Sequence, residues 1–152
     1  MSFTDLPTIE SLQAMVKPYY EDEYATIALD DSIPCVTLKL TGIPRYSEHY
    51  QHVQSKRMEL VRAEAKNYPK LHLLTDSRTA GPVLDEDVQF FKASVLPEIE
   101  RAGIRYLAIV MPKSKFTQLT IRDMTNTADL LNVRYFESLR DARSWLRKMT
   151  VS

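Results

Sequence analysis

The sequence predicts an α/β domain: a β-hairpin followed by sequentially wound, right-handed βα units, with about five strands, mostly parallel. Three observations predict it. Tyr24-Ala-Thr-Ile-Ala-Leu29 reads as a strand, Asp30-Asp-Ser32 as a turn, and Pro34-Cys-Val-Thr-Leu-Lys-Leu40 alternates with period two, which together make a hairpin. Arg105-Tyr-Leu-Ala-Ile-Val-Met111 is apolar after its first residue, the pattern of a strand buried on both faces of a parallel sheet. After the hairpin, every strand-like run is separated from the next by a helical one, the connection that parallel strands need.

The elements follow in order. Residues 1–23 are expected to form an N-terminal helical extension and residues 24–152 one domain. In the extension, Ile9, Leu12 and Val16 form a helical stripe that Thr8 caps and Pro18 ends. In the hairpin, Val36, Leu38 and Leu40 share one face, with Cys35, Thr37 and Lys39 on the other, and Gly42 and Pro44 close the strand. Ser47 is expected to cap a helix reaching about Lys66. Tyr50, Val53, Leu60 and Val61 lie along its apolar stripe, and His49 and His52 sit at its solvated start. Leu71–Thr75 is a short strand, and Thr79–Pro82 a loop. Asp85 caps a helix ending at Gly103, with a break expected at Pro97. Ser114 caps a helix to Leu131, with Phe116, Leu119, Met124, Ala128 and Leu131 inward and Asn132 left-handed after it. Val133–Phe136 is the last strand. Ser138 and Asp141 have capping-box spacing at the start of a helix whose apolar side holds Leu139, Ala142, Trp145, Leu146 and Met149. Arg140, Arg143 and Arg147 are expected on its solvated side. In this winding the crossover helices share one sheet face. The other face then needs a cover, either the N-terminal helix or a partner chain.

Composition narrows the function by subtraction. The chain has 152 residues, 44% hydrophobic and 26% charged, which are globular values. Its net charge is zero, against a dedicated nucleic-acid binder or a polybasic membrane anchor. Three glycines cannot supply a dinucleotide or P-loop cradle, and the single Cys35 removes disulfides, CxxC chemistry and zinc ribbons, so no cofactor is expected. His49 and His52 lie one turn apart, but without HExxH or enough further ligands they make no metal site. There is no signal-peptide pattern and no apolar run long enough to insert into a membrane, which with the lone thiol points to the cytoplasm. No catalytic motif is found, so an enzyme is not expected. Ten basic against sixteen acidic residues up to residue 100, and ten against four after it, leave the halves oppositely charged and able to neutralise each other.

Four stretches carry a resemblance: Leu73-Leu-Thr-Asp-Ser-Arg78, Val95-Leu-Pro-Glu-Ile-Glu-Arg-Ala-Gly103, Arg105-Tyr-Leu-Ala-Ile-Val-Met-Pro112 and Arg134-Tyr-Phe-Glu-Ser-Leu-Arg-Asp-Ala-Arg-Ser-Trp-Leu146. In these the chain resembles a poorly characterised family of small bacterial proteins with the SpoIIAA-like fold, shared by STAS domains of anti-sigma-factor antagonists. Those antagonists carry a phosphorylatable serine in a D-S-S-G motif. Here Asp76 and Ser77 match in type, while Arg78 and Thr79 replace Ser-Gly and Gly81 is displaced. The resemblance implies a regulatory or interaction role.

Asp76, Ser77 and Arg78 are therefore the candidate ligand or switch residues, at a strand's carboxyl end. The plainer alternative is an Asx turn at Asp76 with Arg78 paired to an acid. The expected function is a non-enzymatic regulatory or protein-interaction module, forming a homodimer and engaging a protein partner. The alternative is a small-molecule or lipid-binding domain, similar in winding to CRAL-TRIO domains but lacking their apolar gating helix. A closed apolar pocket of several hundred Å³ separates the two readings.

Overall fold

The computed structural model describes residues 17–151. They fold around a six-stranded sheet whose strands lie side by side in chain order, one strand more than expected. Strands β1 (Tyr20–Glu21), β2 (Ala25–Asp30) and β3 (Cys35–Gly42) are antiparallel. Strands β4 (His72–Ala80), β5 (Tyr106–Val110) and β6 (Asn132–Phe136) continue the sheet in parallel from β3. The added strand β1 lies in the segment assigned to the extension, so the sheet begins before residue 24. Its turn into β2 is pinned by Asp22, whose Oδ1 accepts the N–H groups of Tyr24 and Ala25, each at 2.8 Å. The helix expected between Thr8 and Pro18 lies almost wholly outside the described residues, and its Ile9, Leu12 and Val16 wholly so.

The helices are α1 (Ser47–Glu64), α2 (Asp85–Phe90), α3 (Leu96–Arg101), α4 (Lys115–Thr125) and α5 (Leu139–Val151). The break expected near Pro97 takes the form of a π turn, Phe91–Val95, joining α2 to α3. Pro97 has no N–H for the carbonyl four residues back, and the N–H of Leu96, the residue just before it, reaches to the Phe91 carbonyl. Gly103, at φ 89°, supplies the left-handed residue that closes α3. Helices α1 to α4 cover one face, where Val36, Leu38, Leu73 and Leu107 belong to the larger core cluster.

The opposite face is covered by the chain's own last helix. Leu139, Ala142 and Leu146 of α5 pack on Cys35, Leu74, Ala108 and Val110. Helix α5 follows the edge strand β6 and lies over the face that the crossovers leave bare. Neither the N-terminal helix nor a partner chain is needed over this part of the sheet. Trp145 is only partly buried, its ring edge-on to Tyr106 at 5.6 Å. The basic side of α5 is not wholly solvated either: Arg143 is 8% exposed and Nη1 donates to Asp30 Oδ2 at the end of β2.

Helix α4 ends at Thr125, short of Leu131, and is turned relative to expectation. Thr117, Ile121, Met124 and Thr125 face inward, while Phe116 and Leu119 are 70% and 67% exposed. The threonines can be buried because each hydroxyl is bonded, Thr117 to Ser114 Oγ at 3.3 Å and Thr125 to the Ile121 carbonyl at 3.2 Å. Caps at Ser114 and Ser138 form as expected, accepting from the N–H groups of Thr117 and Asp141. Ser47 and Asp85 instead open their helices without a side-chain cap, and Asn132 begins β6 rather than turning left-handed. Among the described residues no helix is long and apolar enough to cross a membrane.

Candidate functional site

Strand β4 runs through the segment read as the start of a loop, and it does so with a bulge. Lys39 pairs with Asp76 and Thr41 with Thr79, so Ser77 and Arg78 together oppose the single Leu40. Strand alternation then divides the three candidate residues. Asp76 and Arg78 lie on one side as a bidentate pair, Nε to Oδ1 at 2.9 Å and Nη2 to Oδ2 at 2.8 Å. The Arg78 N–H also donates to Oδ1 at 3.2 Å. Here the acid that pairs with Arg78 is Asp76 itself. Ser77, 2% exposed, lies on the other side with Thr75, facing α1 and α4.

On that side, between α1, the π turn and α4, the structure opens a cleft that is partly open to solvent. Leu38, Leu107 and Ile109 form its floor with Thr75 and Ser77; Phe91, Ile121 and Met124 wall it. Among the described residues its one charged lining residue is Arg57, which is 2% exposed. Nη1 donates to Thr75 Oγ1 at 3.1 Å and Nη2 to Gln54 Oε1 at 2.6 Å, while Nε is buried without a partner. Among the described residues, no carboxylate lies within ion-pair distance of this guanidinium. Burial pulls its pKa down to about 10, so it remains a cation at neutral pH. Tyr24 and Tyr50 also line the cleft, and burial pushes both phenols up, which keeps their hydroxyls neutral.

Of Asp76, Ser77 and Arg78 only Ser77 lines this cleft, on its floor, and the sequence reading did not single out Arg57. A signal for Arg57 was present. Tyr50, Val53, Gln54, Arg57 and Val61 follow one helical stripe, and all five are buried. Gln54 and Arg57 are polar residues at positions where the period calls for apolar ones.

The remaining titratable groups are structural. His49 is buried rather than solvated, 3% exposed. Its Nδ1 accepts the Arg45 N–H at 3.0 Å and its Nε2 meets Asp22 Oδ2 at 2.7 Å, so both ring nitrogens are engaged. Burial pushes the Asp22 carboxyl up, but hydrogen bonds from Tyr20, His49 and the Ala25 and Tyr24 N–H groups outweigh it and hold the pKa well below the usual range. His52 sits edge-on to Tyr20 at 5.5 Å. Burial raises the Cys35 thiol to about 12, which removes it as a nucleophile at neutral pH. Among the described residues no group of three His, Cys, Asp or Glu could hold a metal ion.

No protein-family model matches the sequence, and no curated protein matches it. Among solved structures, the chain is similar to an uncharacterized protein of the DUF3478 family from Shewanella loihica with a SpoIIAA-like fold. Identity is 14%, the match covers 84% of this chain and 97% of that one, and the TM-score is 0.51. The likeness shows the fold: this is a SpoIIAA-like α/β domain, as the sequence resemblance implied.

Proposed function

We propose that this SpoIIAA-like domain is a non-enzymatic ligand-binding module that takes a small, largely apolar molecule into the cleft between α1, the π turn and α4. The observation that carries the reading is the cleft itself, apolar over most of its lining, with a few converging polar groups. Those groups are hydroxyls, an amide and one fixed cation, which offer recognition rather than bond-breaking chemistry. The small-molecule reading therefore comes ahead of the protein-interaction reading.

The test is titration of the full chain with N-phenyl-1-naphthylamine, a neutral fluorophore that brightens in apolar surroundings. Saturable binding of one molecule per chain is expected. Val83→Trp, which places a large ring on the cleft lining, should weaken it about tenfold or more with an unchanged circular dichroism spectrum. Absence of saturable binding to the wild-type chain would overturn the reading.

A second reading, a protein-contact module, is favoured by Phe116 and Leu119. They lie one turn apart on the outer side of α4, each more than half exposed. A second copy of the chain is the simplest partner for such a patch. Light scattering then gives a dimer mass for wild type and a monomer mass for Phe116→Asp; a wild-type mass near 17.6 kDa removes the homodimer.

A further inference from the structure

We propose that the molecule taken up is a monocarboxylic acid, with its carboxylate seated on Arg57 and its apolar body along Phe91, Ile121 and Met124. The proposal rests on the cleft being a binding site. It starts from an imbalance. A guanidinium removed from water needs a counter-charge as well as hydrogen bonds, because neutral dipoles compensate its lost hydration only in part. Arg57 has the hydrogen bonds, to Thr75 and Gln54, and no described acid for the charge.

The donors point the same way. Two of the five guanidinium N–H groups are used, and the Nε–H remains buried and unpartnered. Neither phenol of Tyr24 or Tyr50 is hydrogen-bonded to a described residue, and both rings line the same cleft. Unused donors around a planar cation match a planar acceptor with two oxygens. If Arg57 served only to tie α1 to β4, a neutral side chain could make the same two bonds without a buried charge.

The charge of the ligand head follows from the lining. Arg57 is the one charged residue of the cleft, so one negative charge is neutralised there. A phosphate monoester would carry a second charge into an apolar site with nothing to meet it. The rest of the lining, dominated by Leu, Ile, Phe and Met side chains, fits a hydrocarbon or aryl body.

The experiment displaces bound N-phenyl-1-naphthylamine from the full chain with three matched pairs. These are hexanoate and hexanol, decanoate and decanol, and 1-naphthylacetate and 2-(1-naphthyl)ethanol. At pH 7 at least one acid should displace the fluorophore about tenfold better than its alcohol, as a charge-assisted contact requires. That preference should vanish in Arg57→Met and shrink in Arg57→Lys, with fluorophore binding kept in both. In the wild-type chain it should also fade as pH falls through the ligand's own carboxyl pKa, a readout that stands if Arg57→Met does not fold. Three alcohols as effective as their acids would overturn the proposal while leaving the cleft a binding site, and so would an unchanged acid preference in Arg57→Met. Failure of the fluorophore to bind would instead remove the binding site and the proposal with it.

Discussion

Two arginines are buried in this domain, on opposite faces of one sheet, and they are kept in different ways. Arg143 on α5 meets Asp30 and reaches the Ser32 hydroxyl at 3.5 Å, in a corner that holds the last helix to the β2–β3 turn. Arg57 on α1 meets a threonine and a glutamine and faces an opening. The first is complete within the chain. The second is complete neither in its bonds, since Nε has no described partner, nor in charge. Burial alone is thus a poor guide to function; the informative feature is a buried cation whose counter-charge no described residue supplies.

The comparison can be broken at several points. The largest expected effect sets the scale of the closed face. Leu146 is 0% exposed under α5, and Leu146→Ala should cost about 3–5 kcal/mol in a urea melt, since the packed site cannot collapse fully. Next, Asp30→Ala leaves the Arg143 charge unpaired and should cost about 3 kcal/mol by the same measurement. A loss below one kilocalorie would mean that the corner is solvated enough to release Arg143. Arg57→Met removes a charge with no described acid beside it, so its denaturant midpoint should stay within about 1 kcal/mol of wild type or rise. A loss as large as that of Asp30→Ala would make Arg57 a structural residue like Arg143.

The smallest effect concerns Asp87, an acid counterpart of Arg57. It is 1% exposed, with the Ser47 hydroxyl beside it and neither carboxylate oxygen in a well-formed hydrogen bond. Burial raises its pKa. A raised carboxyl contributes stability that is whole below the ordinary carboxylate range and lost as pH rises through the folded value. Asp87→Asn should therefore gain about 0.5 kcal/mol at pH 7, part of the benefit being offset by a weaker interaction with the α2 dipole. The gain should disappear near pH 3. A gain independent of pH would assign it to helix propensity instead.

The fold was legible where apolar period and chemistry agree. Val36, Leu38 and Leu40 face the larger cluster and Cys35 the smaller, as alternation required, and β5 is buried on both sides. Expectation failed where polar groups are buried because they satisfy one another. Thr75 to Arg78 read as the end of a strand, since a run of Thr, Asp, Ser and Arg has no apolar alternation. Asp76 and Arg78 pair along one side of the strand, however, and Thr75 and Ser77 line the cleft. Phe116 and Leu119 were assigned inward on hydrophobicity, yet bonded threonines took those positions. Arg57 escaped for the same reason: its charge marked it as surface, though its place in the α1 stripe marked it as core. The last helix was legible as amphipathic, but which face it covers is a matter of tertiary packing.

The position of α5 also bears on the order in which the domain is made. Strands that lie in chain order need only neighbouring segments to pair, so the sheet can assemble progressively as the polypeptide emerges. The cover of its second face is encoded in the final stretch, Leu139–Val151. A chain halted at residue 138 already contains every described strand and crossover helix, while Leu74, Ala108 and Val110 still lack their cover. Arrival of α5, rather than formation of the sheet, is then the step that takes Leu74, Ala108 and Val110 out of water.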